Sequence, residues 1–255
     1  MGKIETTVFI PDVHCPHADK HALYLVLCAI ASIKPQRVVL LGDVLDFGSV
    51  SRFDQDPRFA EHLADELEEG KHFLDDLRQV SGNAEIHYLE GNHEHRLVKH
   101  LIRNDKEMMF LRDGDEEVIS VPHLLDLKKR KIIWHPQDTS LFLHNWCIEH
   151  GDIASQHAGY TAKRMVERRR MNVIMGHTHR LGLFSHTGFA STLIGVEAGC
   201  LIDRNSPAAS YARFPNWQTG FCIGEAYKDI FQVTPIAIQN GTFILKDRVY
   251  NRGTI

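Results

Sequence analysis

The chain reads as an α/β protein built as a two-sheet sandwich, and three observations carry that expectation. Short β-rich apolar runs alternate with longer stretches of helical periodicity from Ile4 to about Glu94. A second, strand-rich half follows between Ile132 and Val233. Polar, glycine-bearing clusters fall just past the ends of expected strands, where open α/β sheets place their ligand-binding loops.

Taken in order, Ile4 to Ile10 is the first strand. Ala18 to Ile33 carries Leu23, Val26, Leu27 and Ile30 at helical spacing and ends before Pro35, whose missing N–H cannot extend a helix. Arg37 to Leu41 is a second, buried strand. The unit recurs as a polar helix from Pro57 to Val80, a strand from Glu85 to Leu89 and a helix starting near Glu94. Residues 103–130 are charged and less regular, with an acidic run from Asp113 to Glu117 and a short helix at His123 to Lys129, and are read as a cap or insertion. Apolar runs at Ile132–Trp134, Leu141–Ile148, Val173–Met175, Leu183–Ser185, Leu193–Val196 and Phe221–Val233 supply the second half, with a helix over Ser155 to Arg170 among them. Without repeats or low-complexity segments, residues 1–255 are expected to form one domain.

The totals exclude more than they assign. A formal net charge of −4 rules out a broadly cationic surface, so nucleic-acid affinity cannot be argued from charge totals and a local basic groove stays open. Five cysteines, an odd number without C-x-x-C spacing, favour reduced thiols. The first residues lack the apolar core of a signal peptide, and no apolar run approaches the roughly 20 residues of a membrane span, so a cytoplasmic protein without a membrane partner is expected. The oligomeric state is left open, a homodimer included.

Five motifs carry the chemistry: Asp12-Val13-His14, Gly42-Asp43-Val44-Leu45-Asp46, Gly91-Asn92-His93-Glu94, His150-Gly151-Asp152 and Gly176-His177-Thr178-His179. Imidazole nitrogen together with carboxylate and amide oxygen suits divalent transition metals such as manganese, iron or zinc better than calcium. The glycines beside Asp43, Asn92, His150 and His177 let the backbone turn tightly against a metal or phosphate.

In this order the motifs resemble those of the calcineurin-like metallophosphoesterase superfamily, across residues 12–179. The resemblance implies a four-layer αββα sandwich of two mixed sheets flanked by helices, and a centre of two divalent metals. Manganese is the expected ion, with iron, zinc, nickel and magnesium as alternatives. By the same resemblance Asp12, His14 and His179 hold one metal, Asn92, His150 and His177 hold the other, and Asp43 bridges them. His93 stays unligated over the substrate as the catalytic histidine, with Glu94 or Asp46 orienting its neighbours. The implied reaction is in-line attack of a metal-bridging hydroxide on a phosphate ester.

Phe47 stands where the protein-phosphatase branch carries arginine in G-D-x-x-D-R-G, which points instead to the compact bacterial and phage-type phosphodiesterases acting on nucleotides or nucleic acid. A phosphomonoesterase acting on protein or small molecules is the alternative, and a non-catalytic binding module the remoter one. The acidic run at Asp113 to Glu117 weighs against a nuclease if it faces the groove. Arg96, His95 and Arg180, each next to a motif, are the candidate substrate residues, and Arg52 is a weaker one. The basic run Lys163 to Arg170 fits the solvated face of a helix, Trp217 fits the core, and Cys15 is left outside the site.

Overall fold

The computed structural model describes residues 2–52, 62–137, 139–189, 191–209 and 215–253. Its first strand, β1 (Glu5–Ile10), shows how the layers arise. Successive side chains of a strand point to opposite faces. Val8 and Ile10 therefore join a helix-side cluster, while Phe9 enters a cluster between two sheets.

Helix α1 (Lys20–Ile33) is N-capped by Asp19, whose carboxylate accepts from the Ala22 N–H at 2.9 Å, and turns its buried Leu25, Val26, Ala29 and Ile30 to that outer face. Strand β2 (Arg37–Leu40) follows. Helix α2 (Leu63–Ser81) adds Phe73, Leu74 and Leu77 to the same layer. It begins later than the helix expected from Pro57; residues 57–61 lie outside the described residues. Strand β3 (Glu85–Leu89) and helix α3 (His95–Asn104) come next.

Between α3 and β6 (Ile132–His135) lie a two-residue hairpin, β4 (Arg112–Asp113) and β5 (Glu116–Glu117), and the single-turn helix α4 (Val121–Leu124). Val121, Leu125 and Leu127 from this stretch are buried in the cluster that α2 shares. The short helix thus precedes the expected His123–Lys129.

In the second half, β7 (Leu141–Leu143) and β8 (Trp146–Glu149) form a hairpin where a single run was expected, because the chain reverses at His144 with φ 53°. Helix α5 (Tyr160–Arg169) leads to β9 (Asn172–Met175), β10 (Leu181–Thr187) and β11 (Thr192–Ala198). The long run at Phe221–Val233 is likewise a hairpin, β12 (Gly220–Tyr227) with β13 (Ile230–Ala237), and a small hairpin of β14 (Phe243–Leu245) and β15 (Arg248–Tyr250) follows.

Sheet one runs β13-β12-β1-β2-β3-β6, parallel from β1 to β6 and antiparallel across β1, β12 and β13. Sheet two runs β10-β11-β9-β8-β7, with β11, β9 and β8 parallel and an antiparallel strand at each edge. Phe9, Val39, Leu41 and Leu89 of sheet one meet Trp146, Ile148, Ile174 and Val196 of sheet two. Met165 and Val166 of α5 cover the far face on Cys147, Val173 and Met175. The result is the four-layer αββα sandwich of two mixed sheets. The loops after β1, β2, β3, β8 and β9 carry all five motifs.

Candidate metal centre

These five loops bring the seven expected ligands into contact at one end of the sandwich. Their backbones are strained to do so. Asp12, His14, Asp43, His177 and His179 all have φ between 40° and 68°, a left-handed region costly for residues with a Cβ and one that persists at sites the surrounding structure holds. Gly91 shows how tightly the loops approach, since a Cβ there would lie 2.1 Å from Asp43 Oδ1. Only glycine fits.

One group of ligand atoms comes from Asp12, His14, Asp43 and His179, all buried, and a second from Asp43, His150 and His177. In the first, His14 Nδ1 lies 3.0 Å from Asp46 Oδ1 and donates to it, which leaves the Nε2 lone pair directed at His179 Nε2, also 3.0 Å away. Burial pushes His14 down to about 4 and His179 down to about 3, so near neutrality both rings are uncharged. Asp12 Oδ1 lies 3.4 Å from His179 Nε2. In the second group, His150 donates from Nδ1 to the Leu41 carbonyl at 2.8 Å, so its Nε2 faces Asn92 Oδ1 at 3.0 Å and Asp43 Oδ2 at 3.3 Å. His177 Nδ1 is 2.6 Å from the same Asn92 oxygen.

The donor set passes the test for a metal. Two buried imidazole nitrogens face each other at 3.0 Å beside two carboxylates, and His179 Nδ1 is buried without a partner, a donor set suited to a common cation. Around His150, burial would lower proton affinity, yet Asp43 and Asp12 raise it to about 10. The same oxygens that attract that proton would attract a divalent ion. Burial would raise Asp43, but His150, His93 and His14 hold its carboxyl well below the usual range.

His93 stands beside both groups and makes a third with His14 and Asp46. Its N–H donates to Asp43 Oδ1 at 2.9 Å and its Nδ1 donates to the Asp46 carbonyl at 2.7 Å. Arg96 donates to His93 Nε2 and to the Asp46 carbonyl, each at 2.8 Å, so a cation from α3 stands beside this histidine. Arg180 lines the neighbouring cleft. His95 is not brought in: its Nδ1 is 3.0 Å from Glu90, away from the ligand atoms. Trp217 is buried with Cys200, Ile202 and Ala209 and meets the His179 ring edge-on at 4.4 Å. Cys15 is buried, and burial pushes its thiol up, which leaves it inert.

A cleft of about 670 Å³ opens over Asp43, Asn92, His93, His177 and His179 and continues along Gln156, His157, Arg180 and Asn216. Its described lining contains no residue of 103–130.

A family model described as calcineurin-like phosphoesterase matches residues 6–181. The chain belongs to that family. Among curated proteins this phosphoesterase is similar to the Gene 54 protein of Mycobacterium phage L5, at 30% identity over 95% of this chain and 97% of that protein. It is also 30% identical to the Gene 54 protein of Mycobacterium phage D29, over 84% of this chain and 86% of the relative. Vacuolar Protein Sorting 29 from Cryptosporidium parvum has a similar fold, with a TM-score of 0.50, 12% identity, and coverage of 98% of this chain and 99% of that one. Family membership and the His/Asp cluster together support metal-dependent phosphoester hydrolysis with divalent ions. No helix among the described residues is long and apolar enough to cross a membrane.

Two buried carboxylates outside the ligand set hold the loops of this phosphoesterase: Glu94, expected to orient its neighbours, and Glu197, to which sequence reasoning assigned no role. Glu94 accepts from the N–H groups of Asp43, Val44, Leu45 and Gly91 and from the Tyr88 hydroxyl, all within 3.1 Å. Glu197 of β11, 0% exposed, accepts from the Thr178 hydroxyl at 2.8 Å and from the Gly159 N–H, tying the loop between His177 and His179 to the start of α5. The signal was a lone charge inside an apolar strand. Glu197→Ala is expected to cost about 3 kcal/mol in chemical denaturation, from two orphaned donors and a cavity, with Glu197→Gln losing less. Equal stability of wild type and alanine variant would remove Glu197 from this part.

Proposed function

We propose that the chain is a two-metal phosphodiesterase acting on nucleotides or nucleic acid. In this reading Asp12, His14 and His179 hold one ion, Asn92, His150 and His177 hold the other, Asp43 is shared, and manganese is the preferred ion. The observation that supports it most directly is the pair of buried rings, His14 and His179, facing each other at 3.0 Å beside Asp12 and Asp43. When bound, the ions supply Lewis acidity toward the phosphate oxygens and acidify water. The chain's own residues do the rest. Asp46 and Leu41 fix the tautomers of His14 and His150, Glu94 fixes the loop of Asp43, and His93 stands beside both ligand groups, its Nε2 open to a proton once Arg96 turns away. Arg96, anchored on His93 and the Asp46 carbonyl, supplies the cation that Phe47 replaces in the second motif. Residues 1–255 form one domain in this reading, with 103–130 an insertion whose Val121, Leu125 and Leu127 pack in the cluster of α2.

The test is manganese-dependent turnover of bis-p-nitrophenyl phosphate against p-nitrophenyl phosphate, with His93→Ala alongside. A higher kcat/KM for the diester, lost in the variant, is the expected result. Preference for the monoester would make the protein a phosphatase, and no turnover of either with metal bound would leave a binding module.

A further inference from the structure

We propose that Arg180 binds a second phosphate of the substrate, flanking the one that is cleaved, so that the site is built for an oligonucleotide strand over an isolated small diester. This rests on the phosphodiesterase reading and names its substrate more closely.

Several other arginines are paired with carboxylates. Arg130 pairs with Asp75 at 2.7 Å, Arg168 with Asp152 at 2.8 Å, Arg169 with Glu149 at 2.5 Å and Arg112 with Glu117 at 3.0 Å. Arg180 has no carboxylate partner among the described residues. Its guanidinium has one acceptor, the Thr178 carbonyl at 3.3 Å from Nη1, and its Nε is buried without any. A guanidinium carries five donors in a fork that matches phosphate oxygens, so most of this one's capacity is unused.

Its place gives that capacity a purpose. Arg180 lines the cleft and follows His179 directly, its Cα about 3.8 Å further along the chain. A phosphate held at the ligand cluster leaves the cation free for its neighbour on the strand. Beyond it the wall carries Gln156, His157 and Asn216, and the His157 ring meets Tyr160, 59% exposed, edge-on at 5.3 Å. Exposed aromatic faces beside a cation are what an unpaired base stacks on. With a formal net charge of −4, the chain has only such local features with which to hold a polyanion.

The experiment compares the thymidine dinucleotide TpT with its 5′- and 3′-phosphorylated forms on the manganese-loaded full chain. One phosphorylated form should exceed TpT in kcat/KM by roughly 10- to 100-fold, the worth of charge-assisted hydrogen bonds to one phosphate. In Arg180→Ala that ratio should fall to near one, with Arg180→Lys between and bound metal at the wild-type level in both. Calorimetry with uncleavable methylphosphonate-linked analogues, with and without the terminal phosphate, reads the same ratio without turnover. For a longer strand, the variant's salt dependence of binding should be shallower by about one phosphate contact. Equal values for phosphorylated and plain dinucleotides in the wild type, or a ratio that survives in Arg180→Ala, would overturn the assignment. Failure to cleave any diester would sink the phosphodiesterase reading alone, because the calorimetric ratio still decides Arg180. Release of inorganic phosphate with the internal diester intact would overturn both.

Discussion

Asp43→Asn should lose bound metal and turnover together. The Asp43 carboxylate is shared by the His14/His179 and His150/His177 groups of ligand atoms: Oδ2 lies 3.3 Å from His150 Nε2 and 3.9 Å from His14 Nε2, while Oδ1 is occupied by the His93 N–H. An amide keeps the size and loses the charge, and its NH2 would have to face either the His93 N–H or the His150 ring. If the centre holds two divalent ions, Asp43 is the anion that both ligand groups share, so its loss should weaken the binding of each. The ions' share of transition-state stabilisation is several kcal/mol, which corresponds to a fall in kcat of roughly 10³-fold or more. Metal content by mass spectrometry should drop in parallel, and the rise in Tm that manganese gives the wild type by mass action should vanish. The fold should survive, because Glu94 holds the Asp43 loop through backbone N–H groups that the substitution leaves in place. Normal metal content in this variant would remove Asp43 from the centre.

The parts of this architecture legible in the sequence are those set by local pattern. Strands β1 to β3 are buried on both faces and read as continuous apolar runs, and α1 shows its periodicity and its stop before Pro35. Each hairpin reads as a single run because its reversal lacks the glycine that marks a tight turn: Lys228 with φ 53° precedes Asp229, and His144 with φ 53° precedes Asn145. At the site, the seven ligand candidates were visible because each motif is short. What holds them was not. Glu94 reaches back 51 residues to the Asp43 N–H, and Glu197 joins Thr178 to Gly159 across two elements, contacts that no local spacing encodes. The destinations of Arg96, on His93, and His95, on Glu90, were equally out of reach, since adjacent helical residues point about 100° apart and only packing decides which faces the ligands.

His93→Ala, unlike Asp43→Asn, is expected to keep its metal and lose turnover by roughly 10²- to 10⁴-fold, the usual contribution of a positioned acid or base. The size of the loss should depend on the leaving group. Arg96 has no acceptor to offer, so its 2.8 Å contact requires a lone pair on His93 Nε2, with the proton on Nδ1 toward the Asp46 carbonyl. Burial disfavours a second proton, but the carboxylates of Asp43 and Asp46 outweigh it and raise the affinity of His93 for one. When Arg96 turns to a phosphate oxygen, Nε2 is freed to take that proton and pass it to the departing oxygen. An alkoxide needs the proton and p-nitrophenolate does not. The variant should therefore lose more on a dinucleotide than on bis-p-nitrophenyl phosphate. Wild-type turnover of the dinucleotide should therefore decline as pH rises and His93 loses that proton, and this limb should be missing from the variant. Equal losses on both substrates, with the alkaline limb intact, would make His93 a fixed dipole for the transition state and not its proton donor.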